Sequence, residues 1–285
     1  MRYSIEIKDL EKKYPNFSLK VNELNIPSGT VIGLIGENGA GKTTLIKSIL
    51  NIIKKDDGKI KIFDKDLEEQ ELNIKEDIGV VLDNTFFPEL LNSKNIDSIM
   101  KDIYKNWDTK LFYKYLESFG IKDNQILKTM SKGMRKKVEI ATALSHHPKL
   151  LILDEATSGL DPIVRNEVLD LFLDFISDEE HTIILSTHIT SDLEHIADYI
   201  IFIDKGKIIL ENTRDEIIDN YGILKCDIQK FDEIDKDDII SYRKSKYSYE
   251  ILIKNKGKCR EKYKDLVIDK ITIEDLMLLM IKGGK

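Results

Sequence analysis

The chain predicts an α/β fold on a largely parallel sheet, and three observations predict it. Short runs of strand length at Val31–Ile35, Ile78–Leu82, Leu150–Leu153 and Thr182–Ser186 alternate with stretches of helical character. These runs are almost continuously apolar rather than alternating, as expected of strands covered on both faces. The first of them leads directly into a glycine-rich turn and then a helix-like stretch, Thr43–Ile53.

The remaining elements read in order. Residues 3–8 and 17–26 have the alternating pattern of strands, and Pro27-Ser28-Gly29 is a turn signal before the first apolar run. Asp56-Asp57-Gly58 marks a turn before a short strand at Lys59–Phe63. Residues 93–120 space Leu111, Tyr115 and Phe119 as a helix does, which suggests a helical subdomain, and Lys132–Ser145 continues it. Pro162–Phe175 reads as a helix, while Ile200–Asp204 and Lys207–Leu210 flank Lys205-Gly206 as a hairpin.

Composition narrows the function. Of 285 residues, 41% are hydrophobic and 33% charged, enough for a core and a soluble surface. No apolar run approaches the roughly 18–20 residues of a membrane-spanning helix, and the N-terminus lacks the apolar stretch of a secretory signal. A cytoplasmic protein is expected, reaching any membrane through a partner. Cys226 and Cys259 are far apart in sequence and predict reduced thiols rather than a disulfide framework. The net charge of −7 argues against nucleic acid as the main partner. Residues 221–285 carry 15 basic and 12 acidic side chains, a balance of +3 that leaves −10 for the first 220 residues. That shift is one sign of a boundary near Asn220.

Gly36-Glu37-Asn38-Gly39-Ala40-Gly41-Lys42-Thr43 satisfies G-x-x-x-x-G-K-[ST] between a strand and a helix. Glycines let successive N–H groups turn inward around an anion, and the helix N-terminus adds positive potential. Gly36, Asn38, Gly39, Ala40, Gly41 and Thr44 are therefore candidates to hold phosphates. Lys42 would reach the β- and γ-phosphates, and the Thr43 hydroxyl would ligate Mg²⁺. Downstream, Leu150–Leu153 ends in Asp154-Glu155. Asp154 suits Mg²⁺ coordination, and Glu155 is placed as general base toward the attacking water.

Between the two lies Met130-Ser131-Lys132-Gly133-Met134-Arg135-Lys136-Lys137, ahead of a helix. The ordered set resembles the ATP-binding-cassette (ABC) transporter ATPases over about residues 1–217. The resemblance implies a P-loop NTPase with a mixed sheet core and an N-terminal antiparallel β subdomain. It also implies a helical signature subdomain at about 84–147 within a nucleotide-binding domain of residues 1–220, and a small C-terminal α+β appendage at 221–285. It implies ATP and Mg²⁺ as ligands, with Tyr14 stacking on adenine. Ser131 and the Gly133 backbone would meet the γ-phosphate of ATP held by a second subunit. Asp161, in Ser158-Gly159-Leu160-Asp161, lies in the loop that crosses the dimer interface, and His188 is the switch residue beside the γ-phosphate. A homodimer or a heterodimer with another ATPase is implied, on the cytoplasmic side of a membrane through separately encoded permease subunits.

Two positions depart from the family pattern. The signature reads Ser-Lys-Gly-Met where Ser-Gly-Gly-Gln is commoner, with Lys132 read as solvated. Asp83 ends its strand where a glutamine is usual; it keeps an oxygen ligand for the metal but adds charge beside Asp154 and Glu155. The combination is similar to exporter ATPases for antibiotics or amphipathic peptides. Phe86, Phe87 and Glu89 follow Asp83 on an expected surface loop that either receives a helix of the membrane subunit or packs inside its own subdomain. At the C-terminus, Tyr249–Ile253 and Leu266–Ile271 read as strands and Ile273–Ile281 as an amphipathic helix, with a role in dimer contacts, regulation or plain stabilisation. A non-transport ATPase acting on DNA or the ribosome is the alternative. The 112 positions between Lys42 and Asp154 leave no room for a long coiled coil, and one chain holds one cassette.

Overall fold

The computed structural model describes residues 2–83 and 87–284. Strands β1 (Tyr3–Tyr14) and β2 (Phe17–Pro27) form a long antiparallel hairpin, with Tyr14 paired to Phe17 at its tip. The first strand thus extends six residues beyond the alternating stretch at 3–8. β3 (Val31–Ile35) is buried at all five positions. α1 (Lys42–Ile49) ends sooner than expected, because Asn51 adopts a left-handed backbone (φ 52°) that asparagine tolerates at helix ends. β4 (Asp57–Ile62) and the two-residue β5 (Lys65–Asp66) complete the antiparallel edge.

A short helix, α2 (Glu71–Lys75), precedes β6 (Ile78–Val81), which leads to Asp83. The expected helical region divides into α3 (Ser93–Ile103) and α4 (Thr109–Ser118), capped by Asn92 and Asp108, followed by α5 (Lys132–Leu144), capped by Ser131. Ile96, Phe112, Leu116, Leu127 and Val138 form their common apolar core. β7 (Leu150–Asp154), α6 (Pro162–Ile176), β8 (Thr182–Ser186), α7 (Thr190–Ile196), β9 (Tyr199–Asp204), β10 (Lys207–Thr213) and α8 (Arg214–Asn220) follow in chain order.

One sheet carries ten strands in the order β5-β4-β1-β2-β10-β9-β3-β8-β7-β6. Strands β9, β3, β8, β7 and β6 are mutually parallel, whereas the hairpin side is antiparallel, so the sheet is mixed. A single parallel pairing, Lys207 with Lys20, joins the two regions. Apolar clusters cover both faces of the parallel strands, which accounts for their unbroken hydrophobic sequences.

Past Asn220 the chain builds a second sheet. β11 (Tyr221–Asp227), β12 (Ile239–Lys244), β13 (Ser248–Lys254) and β14 (Val267–Asp269) pair antiparallel in the order β12-β13-β11-β14, with α9 (Lys256–Lys262) between the last two in sequence. The capped helix α10 (Ile273–Lys282) closes the fold. Ile223, Leu252, Ile273, Leu276 and Leu279 join the same cluster as Leu193 and Ile196 of α7. Glu194 Oε1 also accepts from the Ile273 N–H at 2.9 Å. The C-terminal sheet is thereby packed against the helix that follows His188. Among the described residues, no helix is long and apolar enough to cross a membrane.

Candidate functional site

The sheet edge where β3 and β7 end builds the site. β3 delivers Gly36, at which an added Cβ would collide with the Ile203 carbonyl of β9, so only glycine lets the loop turn there. Gly41 caps α1 with a left-handed φ of 116°. Its neighbour Lys42 is only 7% exposed, and its Nζ donates to Gly36 O at 2.7 Å and to Glu37 O at 3.2 Å. The ammonium is thus folded back into its own loop. Burial pushes its pKa down, opposed by the charges of Glu155 and Asp154.

β7 carries the two acids. Its register pairs Asp154 with Ser186 of β8, setting the acidic tip level with the end of the next strand. Asp154 is 2% exposed; its Oδ2 accepts from the Thr43 hydroxyl at 3.0 Å, while Oδ1 is buried without a hydrogen-bond partner among the described residues. A hydroxyl and a carboxylate oxygen with unused capacity are the hard oxygen donors that Mg²⁺ prefers, alongside substrate phosphates and water. The residues present therefore fit the cation. Glu155 takes a left-handed backbone (φ 53°), which costs roughly 1–3 kcal/mol for a non-glycine residue. Its N–H donates to Ser186 O at 2.8 Å, and its Oε2 lies 2.7 Å from His188 Nδ1. The turn aims Glu155 out of the strand and toward the histidine two residues past the end of β8.

A cleft of about 610 Å³ joins these groups. Tyr14, Asn38, Gly39, Gly41, Lys42, Thr43, Thr44, Asp83, Asp154 and Glu155 line it, all of them singled out in the sequence. Tyr14 is 42% exposed at the hairpin tip, with Lys12 Nζ 5.6 Å from its ring centroid. Ala40 is buried beneath the loop. Asn16, Phe17 and Glu37 also line the cleft; the first two escaped sequence reading, and Glu37 stood in the glycine loop without being named as a candidate. Phe17 packs under Gly41, where an added Cβ would stand 3.0 Å from its ring. The signal for it was the hairpin register that sets Phe17 opposite Tyr14.

Ser131, Gly133, Asp161 and His188 are not among the residues lining that cleft. Ser131 Oγ accepts from the Met134 N–H at 3.2 Å, and Asp161 Oδ1 accepts from Ile163 and Val164, so each caps the helix that follows it. Lys132 is exposed, yet the end of its side chain lies over Gly159, where an added Cβ would stand 3.2 Å from Nζ and 3.3–3.4 Å from Cδ and Cε. The nearest of those atoms is the ammonium Nζ, so the reading of Lys132 as simply solvated omits its contact with Gly159. Of the residues after Asp83, Phe86 lies outside the described residues. Phe87 is half-buried in the helical subdomain core and lines a cavity of about 170 Å³ with Leu82, Tyr104 and His146. Glu89 is exposed and pairs with Arg135 at 3.2 Å. Lys136, 2% exposed on α5, donates to Leu82 O at 2.8 Å and so ties the signature helix to the residue before Asp83. Sequence reading missed that tie, because a lysine in a basic helix looks solvated.

Residues 19–158 match the family described as ABC transporter. The lantibiotic transport ATP-binding protein SrtF of Streptococcus pyogenes is 36% identical over 213 residues, covering 74% of this chain and 91% of that protein. The bacitracin transport ATP-binding protein BcrA of Enterococcus faecalis is 32% identical over 222 residues, covering 76% and 71%. A solved ATP-binding subunit of an ABC transporter superposes with a TM-score of 0.67 at 26% identity, covering 75% of this chain and 91% of that one. The chain belongs to the ABC transporter family, as an ATPase whose hydrolysis of ATP is coupled to transport.

Proposed function

We propose that this chain is the ATP-hydrolysing subunit of an exporter, working as a dimer around Mg-ATP against separately encoded permease subunits at the cytoplasmic face of a membrane. One observation carries the reading: a loop lysine, the Thr43–Asp154 pair and the Glu155–His188 pair meet at one sheet edge.

ATP would lay its adenine on Tyr14 and its phosphates along the N–H groups of Gly39 to Thr44. Lys42 leaves the loop carbonyls for the β- and γ-phosphates. Thr43 and Asp154, with Asp83 alongside, would hold Mg²⁺, which supplies charge neutralisation between the phosphates. Glu155 accepts a proton from the attacking water, and His188 fixes the carboxylate's direction through the 2.7 Å contact. Across the interface, the partner copy presents the α5 N-terminus at Ser131 and Gly133, so the γ-phosphate becomes part of the dimer contact. Hydrolysis removes that bridge, and the difference in affinity between the two nucleotide states biases the permease.

The cavity beside Phe87, between β6 and the helical subdomain, suits an apolar segment of the permease, and Lys136 links it to the signature helix. Similarity to lantibiotic and bacitracin transport subunits favours an antibiotic or amphipathic peptide as cargo. A Glu155→Gln variant, measured by sedimentation with and without Mg-ATP, should form a dimer only with nucleotide. A species that stays monomeric both alone and beside its permease overturns the reading.

A further inference from the structure

We propose that Asp192 is a positioning residue for ATP hydrolysis: its buried carboxylate, held between Arg165 and Thr157, sets the Ala156–Asp161 loop against the helix that carries on from His188. The proposal rests on the reading that this loop crosses the interface of an ATP-bound dimer.

Asp192 lies on α7, four residues after His188, and is 1% exposed. A carboxylate is rarely buried so deeply without a partner that matters. Its Oδ1 stands 3.2 Å from Arg165 Nε, at the start of α6 directly beyond the loop. The orientation of that pair makes no hydrogen bond, and Asp192 Oδ2 and the fully buried Thr157 Oγ1 are also without bonded partners among the described residues. Four polar atoms are thus gathered but not joined. A small movement of the loop or of Arg165 completes the network, so the carboxylate favours one loop position over others.

The wider geometry shows what such a position serves. Segments 155–165 and 188–192 are tied at both ends. Glu155 meets His188 at 2.7 Å at one end, and Arg165 meets Asp192 at the other. Between the ties lie Thr157, Gly159 and Asp161, with Lys132 of the signature segment resting on Gly159. Burial raises the Asp192 pKa, while the Thr157 hydroxyl and the Arg165, His195 and His188 charges oppose it. The direction of Glu155 and the position of the interface loop are therefore fixed together.

The test uses the full chain. Asp192→Asn keeps shape and should lower kcat about tenfold, within the range for residues that modulate coupling without touching ligand. In a Glu155→Gln background, the protein concentration for half-dimerisation with Mg-ATP should rise by about the same factor. ATP affinity at monomer concentrations should stay within about twofold of the parent, because the phosphate loop is untouched. Arg165→Gln should behave alike, and the double variant should be no worse than either single one, the mark of a shared link. Wild-type kcat and dimerisation for Asp192→Asn, additive losses in the double variant, or a fall in melting temperature that alone tracks the lost turnover each overturn the proposal. A Glu155→Gln parent that forms no ATP-dependent dimer defeats the interface reading and the proposal with it, whereas a parent that dimerises beside an unaffected Asp192→Asn variant defeats the proposal alone.

Discussion

Replacing Lys42 by methionine separates binding from folding at the phosphate loop. The side chain is almost fully buried, and its ammonium makes two hydrogen bonds to neutral loop carbonyls, at 2.7 and 3.2 Å. Burial also depresses its pKa, so the charged form is held at a cost when no nucleotide is present. Methionine keeps the apolar stem and removes the charge. The ligand-free fold should therefore lose no more than about 1 kcal/mol, the net worth of an ordinary hydrogen bond. Binding is another matter, because a charge-assisted contact to phosphate contributes about 1.5–3 kcal/mol, or roughly 10- to 150-fold in Kd. Titration with a fluorescent ATP analogue measures the second quantity, and chemical denaturation without nucleotide measures the first. A folded variant with ATP affinity within about threefold of the parent refutes the assignment. A variant that loses more than about 3 kcal/mol of ligand-free stability would make Lys42 a structural strut instead.

Three further outcomes follow from the same structure. Glu155→Gln should cut steady-state phosphate release by about 10²–10⁴-fold while ATP still binds, since the amide preserves shape but accepts no proton; turnover near the parent level would remove Glu155 as general base. Leu276→Ala, at a fully buried position of α10, should cost about 2–5 kcal/mol. Its unfolding should remain one transition, whereas a separate early transition of the C-terminal sheet would contradict the shared core. His146 is held neutral by burial, stacked on Tyr104 at 3.9 Å. Its folded pKa lies below the ordinary value of about 6.5, so the unfolded chain takes up the proton first. Stability should hold above that value and decline as the pH falls below it, and His146→Asn should flatten the decline in denaturation midpoints between about pH 7.5 and 5.5.

The parallel strands were legible because burial on both faces forces continuous apolar sequence, and β3, β7 and β8 emerge close to where such runs stand. Helix ends were harder to read. Apolar residues continue on both sides of Asn51 in Leu50-Asn51-Ile52-Ile53, yet the left-handed turn at Asn51 ends α1 there. β11 and β12 escaped notice because their residues alternate irregularly. The partners of β11 on β13 and β14 stand 21 (Asp227 to Ser248) to 46 (Ile223 to Asp269) residues further along the chain, beyond any local pattern.

At the site, the sequence alone determined the chemistry on offer: a glycine loop ending in Lys42-Thr43, and an apolar strand ending in two acids. These are local consequences of what backbone and side chains need in order to hold phosphate and metal. Tertiary structure decided which of these groups meet. Thr43 and Asp154 are 111 positions apart and share a hydrogen bond because α1 starts beside the tip of β7. Glu155 meets His188 because β7 and β8 are neighbours in register. The packing of α10 against α7, the burial of Asp192 and the tie from Lys136 to Leu82 depend on long-range packing between elements distant in sequence. Their residue types are common on any helix, so only the folded arrangement distinguishes them.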